Sequence, residues 1–213
     1  MRRQILIFDL DGVLVNSEGY HSRTCDELVS AVAGKPVDTS FFHFPGVDTT
    51  ELYRIGLERI GCSGDPAELS RKHFERTFEM IREEIPEPDP EMIRMLESPA
   101  VQDRVLYVAS SSPRSFVEAV LELYRVRSRF SRVLTGDDVE HLKPAPDIYR
   151  LALALSGLEA GQAVAVEDSR IGSMAAVAAG IDCIGYRNPT SGRQDLSACF
   201  RQVDRLTDIP GLI

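Results

Sequence analysis

Ile5-Leu6-Ile7-Phe8-Asp9-Leu10-Asp11-Gly12 decides how this chain is read. Four consecutive apolar residues fit a strand covered on both faces. Residues two apart in a strand point to the same side. Asp9 and Asp11 therefore sit close together at the C-terminal tip of that strand. Like charges at such range repel unless a cation or a shared proton intervenes. A fold keeps the pair for a metal site, or for a nucleophile partnered by an acid; the plain alternative is a loop with two solvated aspartates. Gly12 lets the backbone turn sharply away.

Outward from this stretch, short apolar runs alternate with helical patterns. Ile5–Phe8, Val105–Val108, Arg132–Leu134, Ala163–Val166 and Asp182–Ile184 read as strands. Phe116, Val120 and Tyr124 recur every fourth residue. Ile148, Leu151, Ala152 and Leu155 follow a helical period, as do Ile171, Met174, Ala175 and Ala178 ahead of a stop at Gly180. Such alternation predicts an α/β fold, a Rossmann-like parallel sheet with right-handed crossovers. Residues 16–85 differ, reading as helices with no strand between them. One face is Tyr53, Leu57 and Ile60, another Phe74, Phe78, Ile81 and Ile85, with a turn over Gly61–Pro66. The proline-rich Pro86-Glu87-Pro88-Asp89-Pro90 follows, a stiff linker that no helix crosses. The expected organisation is an α/β core of residues 1–15 and 86–213 with a helical domain, 16–85, inserted after the first strand.

The 213 residues suffice for one core and a smaller module. The net charge of −9 argues against nucleic acid or an anionic membrane as partner. No apolar stretch reaches the length of a membrane span. Met1-Arg2-Arg3 is basic, but the following apolar run of four is shorter than a signal peptide needs, so a cytoplasmic protein is expected. Cys25, Cys62, Cys183 and Cys199 are widely spaced and fit reduced thiols.

Ligands of open parallel sheets bind off the carboxyl ends of the strands. Four segments there carry polar chemistry. Asp9-Leu10-Asp11-Gly12 is the first. In Ala109-Ser110-Ser111-Ser112-Pro113, hydroxyls and N–H groups precede a helix with proline suited to its first position, an anion site. Ser112 is the expected cap there, Ser110 the phosphate contact, and Ser111 a further substrate-binding candidate. In Leu142-Lys143-Pro144-Ala145-Pro146-Asp147, two prolines fix the backbone around Lys143. Val166-Glu167-Asp168-Ser169 ends a buried strand with two acids, of which Asp168 could equally cap a helix. Hard oxygen ligands suit Mg²⁺, which bridges readily to phosphate. Four ionised carboxylates would repel a dianionic phosphate, and Mg²⁺ with the Lys143 ammonium offsets all but one of those charges. Each close pair is worth about 4 kcal/mol at an effective dielectric near 20. Metal binding is thus a condition for substrate binding.

With these segments in this order, the chain resembles the haloacid dehalogenase-like superfamily, and more closely its phosphatase and phosphoglucomutase-like branch with a helical cap. Phe8-Asp9-Leu10-Asp11-Gly12-Val13-Leu14, Ser110, Lys143-Pro144-Ala145-Pro146-Asp147-Ile148-Tyr149 and Val166-Glu167-Asp168-Ser169 carry the resemblance. It implies Asp9 as the nucleophile that becomes an aspartyl phosphate, and Asp11 as the acid that protonates the leaving oxygen and later activates water. It implies Ser110 and Lys143 as holders of the phosphoryl group. Asp9, Asp168 and the backbone carbonyl of Asp11 would bind Mg²⁺, with Glu167 ligating or orienting the site. The inserted module would close over the site as a cap, where His21 stands at the position of a histidine in related enzymes. The mutases of this branch carry an arginine soon after a Gly-Val pair, whereas this chain reads Gly46-Val47-Asp48-Thr49-Thr50. Pro88-Asp89-Pro90 replaces a Pro-Gly element, and Leu142 stands where a glycine often precedes the lysine. The expected activity is a phosphatase of a small phosphorylated metabolite, acting as a monomer or weak homo-oligomer. A phosphomutase is the alternative, then a non-catalytic binding protein. A 2-haloacid dehalogenase is disfavoured because those enzymes lack the second aspartate.

Overall fold

Strand β1 (Ile5–Phe8) is buried along its whole length in this computed structural model, which describes residues 3–39 and 48–213. The other strands are β2 (Val105–Ala109), β3 (Arg132–Leu134), β4 (Ala163–Glu167), β5 (Asp182–Tyr186) and β6 (Arg201–Val203). All pairings are parallel, in the order β3-β2-β1-β4-β5-β6. The chain runs outward through β2 and β3, returns, and runs the other way through β4, β5 and β6. The reversal falls between β1 and β4, the switch point where such sheets bind ligands. This is the expected α/β architecture. Each strand read from sequence is present, some running one or two residues longer. β6 went unread because it is a three-residue edge strand whose only buried side chain is Val203.

The chain divides into two compact units, Met1–Asn16 with Glu87–Ile213, and Ser17–Pro86. The first holds the sheet with helices α4 (Pro90–Glu97), α5 (Pro99–Gln102), α6 (Arg114–Leu123), α7 (Asp147–Ser156) and α8 (Arg170–Ala178). Alternation along the strands puts Ile5, Ile7, Tyr107, Ala109, Ala163, Ala165 and Cys183 in one buried layer. Ile148, Tyr149 and Ala152 of α7 and Ala175 and Ala176 of α8 complete that layer. Each large side chain so buried contributes about 1.5–3 kcal/mol. Pro90 does not merely stiffen a linker: Asp89 accepts the Glu91 N–H at 2.7 Å and the proline opens α4.

Two helical faces of this unit differ from the sequence reading. On α8 the buried residues are Gly172, Ser173, Ala175 and Ala176, while Met174 is 39% exposed. The helix approaches so closely that a Cβ at Gly172 would overlap the Glu167 carboxylate. Small size, not apolarity, selects this face. On α7, Ile148 and Ala152 are buried as read, and Leu155 is exposed.

The second unit contains α1 (Glu18–Ala33), α2 (Thr49–Ile60) and α3 (Pro66–Glu84). Cys25, Val29, Tyr53, Leu57 and Leu69 form its centre. Asp48 and Asp65 cap α2 and α3 by accepting the Glu51 and Ala67 N–H groups, each at 3.0 Å. The buried stripe of α3 is Leu69, His73, Thr77, Met80 and Ile81 rather than one through Phe74 and Phe78, which are half-buried. Polar residues enter the core because each has a partner. Thr77 donates to Thr24 at 3.0 Å. His73 bonds to the Tyr53 hydroxyl at 2.9 Å and to His21 at 2.8 Å. All four cysteines are free. No helix among the described residues is long and apolar enough to cross a membrane. Gly46 and Val47 lie outside the described residues.

Candidate active site

Register builds the site. Phe8 lies opposite Val108 of β2 and Val166 of β4. The next residue of each strand brings Asp9 beside Ala109 on one side and Glu167 on the other, and the Asp9 N–H donates to Val166 O at 3.0 Å. Lys143, from the loop before α7, closes this level of the sheet. The residue is 4% exposed, and its ammonium donates to Asp9 Oδ1 at 2.8 Å, Ala109 O at 2.8 Å and Glu167 Oε1 at 2.6 Å. All three of its protons are thereby used. Glu167 Oε1 also accepts from the Tyr149 hydroxyl at 2.5 Å.

Asp168 projects next to this group. Oxygens of Asp9, Glu167 and Asp168 all lie within 4.8 Å of one another, and all three residues are buried. Asp168 does not cap α8. Ser169 does, accepting the Gly172 N–H at 3.0 Å, which leaves Asp168 for the site. A hydroxyl of the loop after β5, that of Ser191, donates to Asp168 Oδ2. Gly12 has φ +77°, and a Cβ there would overlap the Asp168 carboxylate. Only glycine fits that turn, for both reasons. The turn is tied further by Asn188, whose amide donates to Gly12 O and Asn16 Oδ1, each at 2.7 Å.

The side chain of Asp11 takes a different direction from the alternation argument. Its Oδ2 accepts from Ser112 Oγ at 2.7 Å and lies 3.4 Å from Ser110 Oγ, so its carboxylate is not one of the three clustered acids. The chain has left the strand after Phe8, and a tight turn over residues 10–15 re-aims this residue. Ser112 is therefore not a helix cap either. Pro113 occupies the cap position of α6 rather than its first turn. Among the described residues the Ser111 hydroxyl is buried without a hydrogen-bond partner. His21 lies in the helical unit at the half-buried end of the Tyr53–His73–His21 chain.

The electrostatics ask for a cation. Burial first, then Glu167, with smaller parts from Asp168 and Asp11, push the Asp9 carboxyl well above the ordinary range, and Lys143 offsets them only in part. Burial alone would lower Lys143, but Asp9 and Glu167 outweigh it and hold the ammonium charged. Burial and then Glu167 raise Tyr149, which keeps its proton as a donor. One ammonium faces three clustered carboxylates. The surplus negative charge and the all-oxygen donor set fit a hard divalent cation.

The sequence reading missed Tyr149, Asn188 and Ser191. The last two follow β5, whose polar exit Arg187-Asn188-Pro189-Thr190-Ser191 carried the same strand-tip signal as the others. Tyr149 ends the stretch Lys143–Tyr149 that carries the family resemblance, and its role depends on Glu167 of another segment reaching its hydroxyl.

The family model described as haloacid dehalogenase-like hydrolase matches residues 6–186. The chain belongs to the haloacid dehalogenase-like hydrolases. Among curated relatives of this hydrolase is the fructose-1-phosphate phosphatase YqaB of Escherichia coli (strain K12), 29% identical over 182 residues, covering 85% of this chain and 95% of the relative. The phosphoglycolate phosphatase of Photorhabdus laumondii is 29% identical over 184 residues, covering 84% and 78%. The crystal structure of CbbY from Rhodobacter sphaeroides in complex with phosphate superposes with a TM-score of 0.84 at 25% identity, covering 97% of this chain and 96% of that one.

Proposed function

We propose that this hydrolase is a Mg²⁺-dependent phosphatase of a small phosphorylated metabolite, of the sugar phosphate or phosphoglycolate type, working through an aspartyl phosphate on Asp9. One observation carries the reading: at the switch point, buried Asp9 is gripped by Lys143 beside two further acids, with a second aspartate held by serine hydroxyls next to it. The relatives named for fructose 1-phosphate and phosphoglycolate support the substrate class.

In this mechanism an Asp9 oxygen attacks phosphorus in line with the departing ester oxygen. Asp11 gives that oxygen its proton, then takes one from the water that hydrolyses the acyl phosphate. Ser110, Ser111 and Lys143 hold the phosphoryl oxygens. Esterification removes the charge from Asp9, which frees the Lys143 donor now spent on it to turn to the phosphoryl group. Glu167, fixed by Tyr149, keeps the ammonium in place. Asp9, Asp168 and the backbone carbonyl of Asp11 would hold Mg²⁺, with Glu167 ligating or orienting, and the ion when bound neutralises phosphoryl charge. The Ser17–Pro86 unit is the cap in this reading, with His21 among its substrate-reading residues. Asp11 sets the enzyme apart from a dehalogenase, whose halide leaves without a proton. The lack of an arginine in Asp48-Thr49-Thr50 sets it apart from a mutase, and Asp48 serves α2 as its cap.

The test is a panel of phosphorylated metabolites with Mg²⁺, reading released phosphate and kcat/KM. At least one sugar phosphate or phosphoglycolate is turned over, EDTA stops turnover, and Asp9→Asn abolishes it with the fold intact. Near-normal activity of Asp9→Asn, or silence across the whole panel, overturns the reading. Time courses of free phosphate against isomerised sugar phosphate separate it from a mutase.

A further inference from the structure

The hydroxyl of Ser112 is the third serine in the loop after β2 and would ordinarily cap α6. The structure relieves it of that task. The Arg114 N–H at the start of α6 donates instead to Asp137 Oδ2 at 2.9 Å. The Ser112 main chain is pinned on both sides: its N–H donates to Ser110 Oγ at 3.0 Å, and its carbonyl accepts the Gly136 N–H at 3.1 Å. A Cβ at Gly136 would collide with the Ser111 carbonyl, so the two loops are in contact along the backbone. Pro113 fixes the next φ. On this rigid mount Ser112 is 8% exposed and spends its proton on Asp11 Oδ2 at 2.7 Å, whereas Ser110 Oγ lies at 3.4 Å from the same oxygen.

The two distances divide the labour. A hydroxyl at 3.4 Å is at the limit of hydrogen bonding and can turn its proton to a phosphoryl oxygen at little cost. A hydroxyl at 2.7 Å is a full bond to a carboxyl oxygen. We infer that Ser112 is the positioning residue for Asp11, fixing the rotation of its carboxyl group so that the proton lies in line with the leaving oxygen. The inference rests on the proposed phosphatase reading and adds to it a residue that touches neither phosphoryl group nor metal. In the step concerned the Asp9 oxygen–phosphorus bond forms, the phosphorus–oxygen bond of the ester breaks with its electron pair passing to the ester oxygen, and the Asp11 proton goes to that oxygen. The alcohol departs neutral.

A misaimed acid harms only those substrates whose leaving group needs a proton. Phenyl phosphate and p-nitrophenyl phosphate are nearly alike in shape, but p-nitrophenolate departs without help. The experiment compares kcat/KM for both esters in wild type, Ser112→Ala, Ser112→Thr and Asp11→Asn, each with Mg²⁺. Because kcat/KM reports only the steps up to departure of the leaving group, the later hydrolysis of the acyl phosphate does not enter. General acid catalysis is worth about 10²–10⁴-fold, so losing its aim costs Ser112→Ala about tenfold more on phenyl phosphate than on p-nitrophenyl phosphate. Ser112→Thr, which keeps the hydroxyl, returns the ratio toward wild type. Ser112→Cys, close in volume and a weak donor, gives the same reading should the alanine variant fold poorly. Equal losses on the two esters, or none, overturn the inference. If Asp11→Asn itself loses both esters equally, the acid assignment falls and this inference with it. Phosphate release by wild type from neither ester nor any metabolite of the panel overturns the phosphatase reading beneath both.

Discussion

Lys143→Met takes away the ammonium and leaves the volume nearly unchanged. In the wild-type site that ammonium is buried and meets Asp9, Glu167 and the Ala109 carbonyl at 2.6–2.8 Å. Its removal leaves two buried carboxylates facing each other and a main-chain acceptor without its donor. Breaking a buried pair by deleting one partner costs about 3–5 kcal/mol. Against a typical stability of about 5–15 kcal/mol this is a large fraction, and the melting temperature falls by about 6–20 °C for a chain of this size. The loss depends on pH in a defined direction. Burial and then Glu167 already hold the Asp9 carboxyl above its unfolded value. A carboxyl so raised costs the folded state at neutral pH, and the cost fades as pH falls toward the unfolded value near 3.9. The Lys143 ammonium is held above its own unfolded value, so its contribution to wild type is complete throughout that range and fades only at strongly alkaline pH. The gap between wild type and variant is therefore widest near neutrality and narrows on acidification. Urea unfolding in EDTA at about pH 7.5 and about pH 5 measures it. A variant within about 1 kcal/mol of wild type at neutral pH would show that the ammonium does not hold these acids together, and would refute the charge argument for the cation.

Asp168→Asn removes one of the clustered acids, so the rise in melting temperature that Mg²⁺ gives wild type, about 2.7 kcal/mol of stabilisation at a hundred times Kd, shrinks or disappears; an undiminished rise places the metal elsewhere. Gly12→Ala meets both a left-handed φ and the Asp168 carboxylate, and costs about 1–2 kcal/mol from the backbone alone. Its half-saturating Mg²⁺ concentration rises, and an unchanged Mg²⁺ titration counts against the packing argument. Asp138 is held below its ordinary range: its burial would raise it, but bonds from Thr135 and Arg114 prevail. Its contribution to stability is thus present above about pH 4 and lost as pH falls through the lowered value. Acid titration of stability should be shallower in Asp138→Asn, and coincident wild-type and variant curves would contradict the bonds seen.

How much was legible follows from what each residue answers to. The strands of the core could be read because burial on both faces demands unbroken apolar runs, as in Ile5–Phe8. The polar exits of β1, β2 and β4 could be read because a strand tip with acids or hydroxyls has few structural uses. The faces of α8 and α3 could not. Gly172 is buried because a carboxylate lies where its side chain would be, and His73 because Tyr53 and His21, distant in sequence, supply its bonds. Capping was misjudged at Ser112 because a cap depends on what else reaches the helix start, and Asp137 reaches it from another loop.

The amino-acid sequence by itself determined a parallel α/β core, an inserted helical segment, and a set of acids, serines and one lysine at strand ends, since local apolar period and turn chemistry settle those. The tertiary structure alone decided that Asp9, Glu167 and Asp168 share one small volume while the Asp11 side chain turns to Ser112. That outcome depends on strand register and on the course of a turn, which are fixed by pairings between segments a hundred or more residues apart and leave no trace in any one of them.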